Sequence, residues 1–168
     1  MSSRPPAQPS PDRYKRHLPH IVTGEHPLFV TFCTRGRWVI PEALRMQLLL
    51  HCLHDHAVKL WVHAVIVMPD HVHMILSLLR DEQAAFYGLA EIMSGIKGAS
   101  AHSINKALGR KGPVWQDESF DHFLRCEESI SAKAQYLWEN PVRKKLVAIP
   151  EQWPWFWADW MPRPGPGQ

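Results

Sequence analysis

Two histidines separated by one apolar residue, His71 and His73, are the residues of this chain whose types and spacing most directly suggest chemistry. They lie in a run too apolar for a loop, and the side chains of an extended strand alternate between its two faces. Both imidazoles therefore project to one side, with their backbones roughly 7 Å apart. This spacing lets the two rings converge on one metal ion. The competing interpretation is that both histidines face solvent while Val72 and Met74 face the core.

The histidine pair lies at the start of the second strand of a predicted hairpin. Residues 61–68 form another apolar, β-branched run, and Pro69 and Asp70 between the two runs favour a turn. The whole segment 61–79 approaches membrane-spanning length, but it contains the proline, the aspartate and three histidines, which are costly in hydrocarbon. We therefore expect a hairpin and no membrane partner.

Length and composition are typical of one ordinary globular domain. The chain has 168 residues, 45% of them hydrophobic, and a formal net charge of +3, which permits a nucleic acid partner without establishing one. We expect a disordered tail over residues 1–12, a single domain over 13–160 and a second disordered tail over 161–168. Three cysteines without paired spacing, and an N-terminus without a signal-like segment, predict reduced thiols in a cytoplasm.

Apolar patterns along the chain predict alternating strands and helices. The predicted order is a strand over 28–33, a helix over 41–59, the hairpin, a helix over 89–108, a strand over 119–125 and a helix over 129–140 closed by Pro141. This order predicts a ferredoxin-like α+β sandwich, an antiparallel sheet with helices on one face and the other face free. The last helix carries Tyr136 and Asn140 at the margin of its apolar stripe, and it can cross the free face toward the histidines. The tryptophan-rich residues 153–160 are expected to cap the core.

Basic residues at several points are candidates for guiding a nucleic acid strand. They are Lys15 and Arg16 in an N-terminal arm, Arg35 and Arg37 after the first strand, Lys97 on the second helix, and Arg143, Lys144 and Lys145 after the last. Each alone is more consistent with a solvated surface charge, but together they predict salt-sensitive binding. Separately, His51 and His54 have the spacing of a helical metal-binding pair, which a wet helix surface explains equally well.

Three motifs resemble one family in combination. His71-Val72-His73 resembles the histidine-hydrophobe-histidine motif of the HUH endonucleases. The segments WQDESFDH at 115–122 and YLWENPV at 136–142 resemble those of the REP-associated tyrosine transposases, relatives of the small single-tyrosine insertion-sequence transposases. The similarity spans residues 16–160, and its elements occur in the order of the family.

The resemblance implies a reaction and a role for each motif residue. It implies that His71 and His73 bind Mg²⁺ or Mn²⁺, that Tyr136 is the nucleophile, and that Asn140 one helical turn later completes the metal site. The insertion-sequence relatives tend to carry glutamine where this chain has Asn140, so a helix cap remains the alternative for this residue. The implied substrate is single-stranded or hairpin-containing, REP-like DNA, which is nicked and rejoined through a covalent 5′-phosphotyrosine. The sequence leaves both a monomer and a homodimer open.

Two other functions are compatible with the same residues. A non-catalytic nucleic-acid-binding regulator with the transposase fold would bind DNA without a metal and without Tyr136. A hydrolytic metal nuclease, in which water attacks the phosphate, would still cleave DNA after Tyr136→Phe. The presence of all the motif residues favours the tyrosine enzyme.

Overall fold

The computed structural model describes residues 26–124 and 129–164. The predicted tail over 1–12, the basic arm with Lys15 and Arg16, and the last residues of the predicted tail over 161–168 therefore lie outside the described part. Its strands are β1 (Leu28–Cys33), β2 (Leu60–Val67), β3 (His71–Leu78), β4 (Phe120–Phe123) and β5 (Phe156–Ala158). Its α-helices are α1 (Glu42–Cys52), α2 (Leu89–Leu108) and α3 (Ile130–Arg143).

The strands form one sheet in the order β4-β1-β3-β2-β5, and every neighbouring pair is antiparallel. Without β5 and α3, this is the strand and helix order of the ferredoxin-like fold. The α+β ferredoxin-like sandwich predicted from the sequence is therefore confirmed. The predicted hairpin also forms, with Pro69 and Asp70 between β2 and β3.

The two faces of the sheet bury separate apolar clusters. On one face Val30, Met74 and Leu76 pack with apolar side chains of α1 and α2. On the other face Ile66 and Ile75 pack with the apolar stripe of α3. Because strand side chains alternate, the histidines of β3 share the face of Ile75. The helix α3 therefore covers the same face of the sheet that carries the histidine pair.

Two predicted helix ends differ from the structure. The first helix ends at Cys52 rather than near residue 59, and Ala57 beyond it adopts a φ of 64°, a left-handed conformation that ends helical geometry. The last helix continues through Pro141 to Arg143. Both Asn140 and Pro141 are buried there, so tertiary packing outweighs the local preference against a helical residue before proline.

The sequence prediction also missed the edge strand β5. This three-residue strand pairs with β2, Ala158 lying opposite Ala64. The neighbouring Trp153 is buried and donates its indole N–H to the Val67 carbonyl at 3.0 Å. The tryptophan-rich segment thus caps the core, as predicted, and in addition extends the sheet.

Within residues 26–124 and 129–164, the helices are all too short or too polar to cross a bilayer.

Candidate functional site

His71 and His73 lie together at the first residues of β3. Their ring centroids are 4.6 Å apart, and the rings are inclined at 75° to each other. The register of the sheet sets Cys33 opposite His71 and Thr31 opposite His73 on β1. In the structure the two imidazoles therefore lie together on one side of the strand, as predicted.

One ring nitrogen of each histidine is engaged by an oxygen atom. The Nδ1 atom of His71 lies 2.6 Å from Oδ1 of Asp70, and Nδ1 of His73 lies 2.7 Å from Oγ1 of Thr31. When each Nδ1–H donates to its oxygen partner, the lone pair of each Nε2 is left for a ligand. An oxygen partner on the second nitrogen is the usual arrangement of metal-binding histidines in proteins.

Burial favours the neutral form of both imidazoles. It lowers the pKa of His71, an effect that the hydrogen bond to the Asp70 carboxylate opposes. It also lowers the pKa of His73 to about 3, with smaller contributions from the charges of His71 and Lys133. Neutral imidazoles hold the lone pairs that a cation requires, so both rings are ready for a metal at neutral pH.

Helix α3 is seated over the histidine face by its apolar stripe. Ala134 and Leu137 are fully buried against the sheet. Lys133, in the first turn, and Lys144, at the C-cap, are both close enough to His73 to lower its pKa. The side of the helix between these two lysines therefore faces the histidine pair.

Tyr136 lies at the edge of this side of α3. Its side chain is 45% exposed, and its ring lies between the ammonium of Lys133, 5.3 Å from the ring centroid, and the guanidinium of Arg143, at 4.1 Å. The same Lys133 ammonium lies 4.7 Å from the ring of Phe29, which is in turn 5.2 Å from the ring of His73. A short chain of contacts thus connects the tyrosine to the histidine pair, and the phenol is open to solvent.

Asn140 lies one turn after Tyr136 and is buried, with 4% of its surface exposed. The helix continues to Arg143 and is capped by Lys144, so Asn140 is not the helix cap that the sequence left as an alternative. Within the described residues its side-chain amide forms no hydrogen bond. An amide that no other described residue engages is a polar group available to a ligand.

These donors fit a divalent cation. Two imidazole nitrogens and an amide oxygen suit Mg²⁺ or Mn²⁺, with imidazole favouring Mn²⁺. No cluster of three or more histidine, cysteine, aspartate or glutamate side chains arranged for a metal occurs in the described part of the chain. A cation at His71 and His73 would therefore depend on Asn140, and on oxygen atoms of a substrate or water, for its remaining ligands.

The other histidine pair considered from the sequence does not form a site. His54 lies beyond the end of α1 and contacts Asp55 at 2.9 Å, whereas His51 contacts Ser103 on α2, also at 2.9 Å. The two imidazoles therefore make separate local contacts, because α1 ends at Cys52 and does not extend to His54.

Two arginines predicted to contact DNA lie in a 3₁₀ turn, Arg35–Arg37, directly after β1. The exposed Arg35 forms a long ion pair of 3.5 Å with Asp117. Arg37 instead lies at the histidine site, where its Nε is 2.8 Å from Oδ2 of Asp70. The structure thus brings Arg37, but not Arg35, into the neighbourhood of His71.

The remaining basic candidates divide into tethered and free side chains. Lys97 on α2 donates to the carbonyls of Gln116 and Asp117 at 2.6 and 3.0 Å. Arg143 donates to the Tyr136 carbonyl, as well as stacking on its ring. Lys144 and Lys145 are exposed and form no ion pair with other described residues. These last two lysines are the candidates best placed to meet a phosphate.

Asp70 and Thr31, which contact the two imidazoles, were not predicted as site residues from the sequence. Asp70 is adjacent to His71 in the chain, and this adjacency is a signal that was available. Thr31 is brought to His73 only by the pairing of β1 with β3. Its role therefore depends on strand register, which sequence alone does not fix.

No family model matches the chain. A curated protein of Haemophilus influenzae, named as a REP-associated tyrosine transposase, is 22% identical over 97 residues, which cover 55% of this chain and 55% of that protein. This chain therefore spans about half the length of the curated relative that it matches.

Solved structures are similar over more of the chain. A REP-associated tyrosine transposase bound to a REP hairpin superposes with a TM-score of 0.56 at 20% identity, covering 83% of this chain and 80% of that one. A protein of Deinococcus radiodurans R1 named as a transposase superposes with a TM-score of 0.47 at 23% identity, covering 68% and 88%. The first match shows the fold. The resemblance that the motifs indicated is thus confirmed: the chain is similar, in sequence and in fold, to proteins named as REP-associated tyrosine transposases.

Proposed function

We propose that this protein nicks and rejoins single-stranded DNA, with Tyr136 as the nucleophile. The observation that carries the proposal is the position of α3, which covers the sheet face of His71 and His73 and holds a solvent-open tyrosine at its edge. A phenol, two neutral imidazoles and several cations then surround the space where a phosphodiester would lie. This is the combination that phosphoryl transfer to a tyrosine requires.

A divalent cation would be held by Nε2 of His71 and of His73 and by the amide oxygen of Asn140. When bound, it would polarise the scissile phosphate and offset the negative charge that develops there. The burial that keeps both imidazoles neutral supports this role, as does the unpartnered amide of Asn140.

The reaction at Tyr136 would proceed by direct displacement at phosphorus. The phenol oxygen forms a bond to phosphorus and gives up its proton to water, which reaches the half-exposed side chain. The bond from phosphorus to the 3′ oxygen breaks, and that oxygen takes a proton to become a free 3′-hydroxyl. The product is a 5′-phosphotyrosine, from which another 3′-hydroxyl displaces the phenol and rejoins DNA without ATP.

The substrate class we propose is DNA with a hairpin of the REP type. The solved relative of the same fold is described as bound to such a hairpin. In this chain the exposed Lys144 and Lys145 follow directly after α3, where a strand entering the site would pass. Arg35 and the N-terminal Lys15 and Arg16 are further candidates for phosphate contacts, and Lys97, tethered to backbone carbonyls, is a weaker one.

The test uses hairpin oligonucleotides labelled at the 5′ or the 3′ end, incubated with the protein and Mn²⁺ and separated on a denaturing gel. We expect a protein-linked species that retains only the 3′ label. Tyr136→Phe should abolish it, and Tyr87→Phe is the matched control, because Tyr87 lies beside Lys59, away from the histidines.

The same gel distinguishes the other functions. Cleavage without a protein-linked species, unaffected by Tyr136→Phe, would establish hydrolysis by water and refute the tyrosine mechanism. Hairpin binding with no cleavage in Mg²⁺ or Mn²⁺ would indicate a non-catalytic regulator.

A further inference from the structure

The turn that carries Asp70 is held firmly by its backbone. The amide of Thr34 donates to the Asp70 carbonyl at 2.9 Å. The hydroxyl of Thr34, 2.6 Å from the Trp38 carbonyl, also lies 3.1 Å from that of Asp70. The amide of Ile40 donates to the carbonyl of Pro69 at 2.7 Å. The backbone of Asp70 is therefore held by bonds that do not involve its carboxylate.

The carboxylate of Asp70 joins two side chains, one at each oxygen. Oδ1 accepts from Nδ1 of His71 at 2.6 Å, and Oδ2 accepts from Nε of Arg37 at 2.8 Å. The carboxylate is only 22% exposed, and the His71 side chain 12%. Partial burial strengthens the contact with His71 relative to the same pair in open solvent, whereas the Arg37 side chain is 54% exposed.

Arg37 is itself fixed by a second contact. Its Nη1 donates to Sγ of Cys33 at 2.8 Å, and Cys33 lies opposite His71 in the pairing of β1 with β3. The side chain of Arg35, two residues earlier in the same turn, forms a long, exposed ion pair with Asp117. The two arginines of this turn therefore have different environments, although sequence analysis assigned both to DNA.

We propose that Arg37 and Asp70 act as positioning residues that fix the orientation and the tautomer of His71. The inference rests on the proposed function, because in that function the fixed imidazole binds a cation. A carboxylate that accepts from Nδ1–H leaves the proton on that nitrogen and the lone pair on Nε2. The guanidinium of Arg37 holds the carboxylate in place from the other side.

The tautomer of His71 provides a test that needs no metal. Nitrogen-15 NMR of the metal-free protein at pH 8 reports which ring nitrogen carries the proton. We expect the proton on Nδ1 in the natural protein and in Arg35→Ala, and a shift toward Nε2, the form that free imidazole side chains prefer, in Asp70→Ala. A proton on Nε2 in the natural protein, or an unchanged tautomer in Asp70→Ala, would overturn the proposal.

The consequence for metal binding is measured as the affinity for Mn²⁺ in the absence of DNA. The electron paramagnetic resonance signal of the free ion reports this affinity. We expect Asp70→Ala to raise the dissociation constant about 10- to 100-fold, the usual effect of losing an oxygen partner of a ligating histidine. Arg37→Ala should raise it less, and Arg37→Lys should recover part of the loss because it restores the charge. Arg35→Ala, the matched control, should bind like the natural protein.

The outcomes separate this inference from the function on which it rests. A natural protein that binds Mn²⁺, with equal affinity in Asp70→Ala and Arg37→Ala, would refute the positioning role alone. A natural protein that does not bind Mn²⁺ would refute the proposed cation site, and the tautomer measurement would still decide whether Asp70 fixes the ring. Far-ultraviolet circular dichroism confirms that each variant is folded before either measurement.

Discussion

Replacing Leu137 by alanine should loosen α3 from the sheet and thereby disable the site. Leu137 is 0% exposed and packs in the cluster that contains Ile66 and Ile75. The change removes three carbon atoms, which at about 0.8 kcal/mol each corresponds to roughly 2.4 kcal/mol of lost transfer free energy. The cavity left behind adds to this loss, so we expect the free energy of unfolding to fall by about 3 kcal/mol.

The same substitution should affect function because of where Leu137 lies. It follows Tyr136 directly and precedes Asn140 by one helical turn, so a loosened helix displaces both. Small misplacements of reacting groups have large effects on rate, and we expect the yield of the protein-linked DNA species to fall about tenfold or more.

Urea unfolding followed by tryptophan fluorescence measures the stability, and the labelled-hairpin gel measures the reaction. Leu146→Ala is the matched control, because this leucine follows α3 and is 42% exposed, so its loss should change the unfolding free energy by less than about 0.5 kcal/mol. If Leu137→Ala lowers the free energy of unfolding by less than about 1 kcal/mol, the apolar stripe of α3 does not hold the helix on the sheet. If the variant is destabilised but its yield of the protein-linked DNA species is unchanged, the packing of α3 on the sheet does not position Tyr136.

Three further predictions test separate features. Asn140→Ala should weaken Mn²⁺ binding about tenfold or more by isothermal titration calorimetry, and an unchanged affinity would exclude the amide as a ligand. The unfolded chain protonates His73 near pH 6.5, whereas the folded chain, with a pKa of about 3, does not. The metal-free protein should therefore lose roughly 1.6 kcal/mol of stability between pH 6.5 and pH 5. Urea titrations at both pH values check this, and a pH slope that persists undiminished in His73→Asn would contradict it. Burial raises the pKa of the Cys52 thiol to about 12, so iodoacetamide at pH 8 should label Cys52 only after unfolding. Mass spectrometry checks this, and labelling of Cys52 in the native protein would contradict it.

Features encoded by short stretches of sequence were predicted well. The alternation around His71 and His73 placed both on one face of a strand, and the helix Leu89–Leu108 has the predicted bounds. In both cases the pattern is local, a period of two or of 3.6 residues, and neighbouring elements do not need to be known.

Features that depend on packing between distant segments were not predicted. Pro141 was expected to end α3, but burial of Asn140 and Pro141 carries the helix further. The strand Phe156–Ala158, with three residues, is too short to show an alternating pattern, and it exists because β2 offers an unpaired edge. Thr31 reaches His73 only through the register of two strands.

The candidate site joins two halves that are each local in sequence but meet only through the core. The imidazoles belong to β3 and the phenol to α3, and side chains of the two elements touch the same apolar cluster, in which Ile75 of β3 and Leu137 of α3 are both fully buried. Because Ile75 continues the strand face of His73, burying it under α3 necessarily brings the helix over the histidines. The hydrophobic effect that holds the helix on the sheet therefore also brings the two halves of the candidate site together. Buried apolar residues at this interface should be as sensitive to substitution in the proposed DNA reaction as the polar residues proposed to face the substrate.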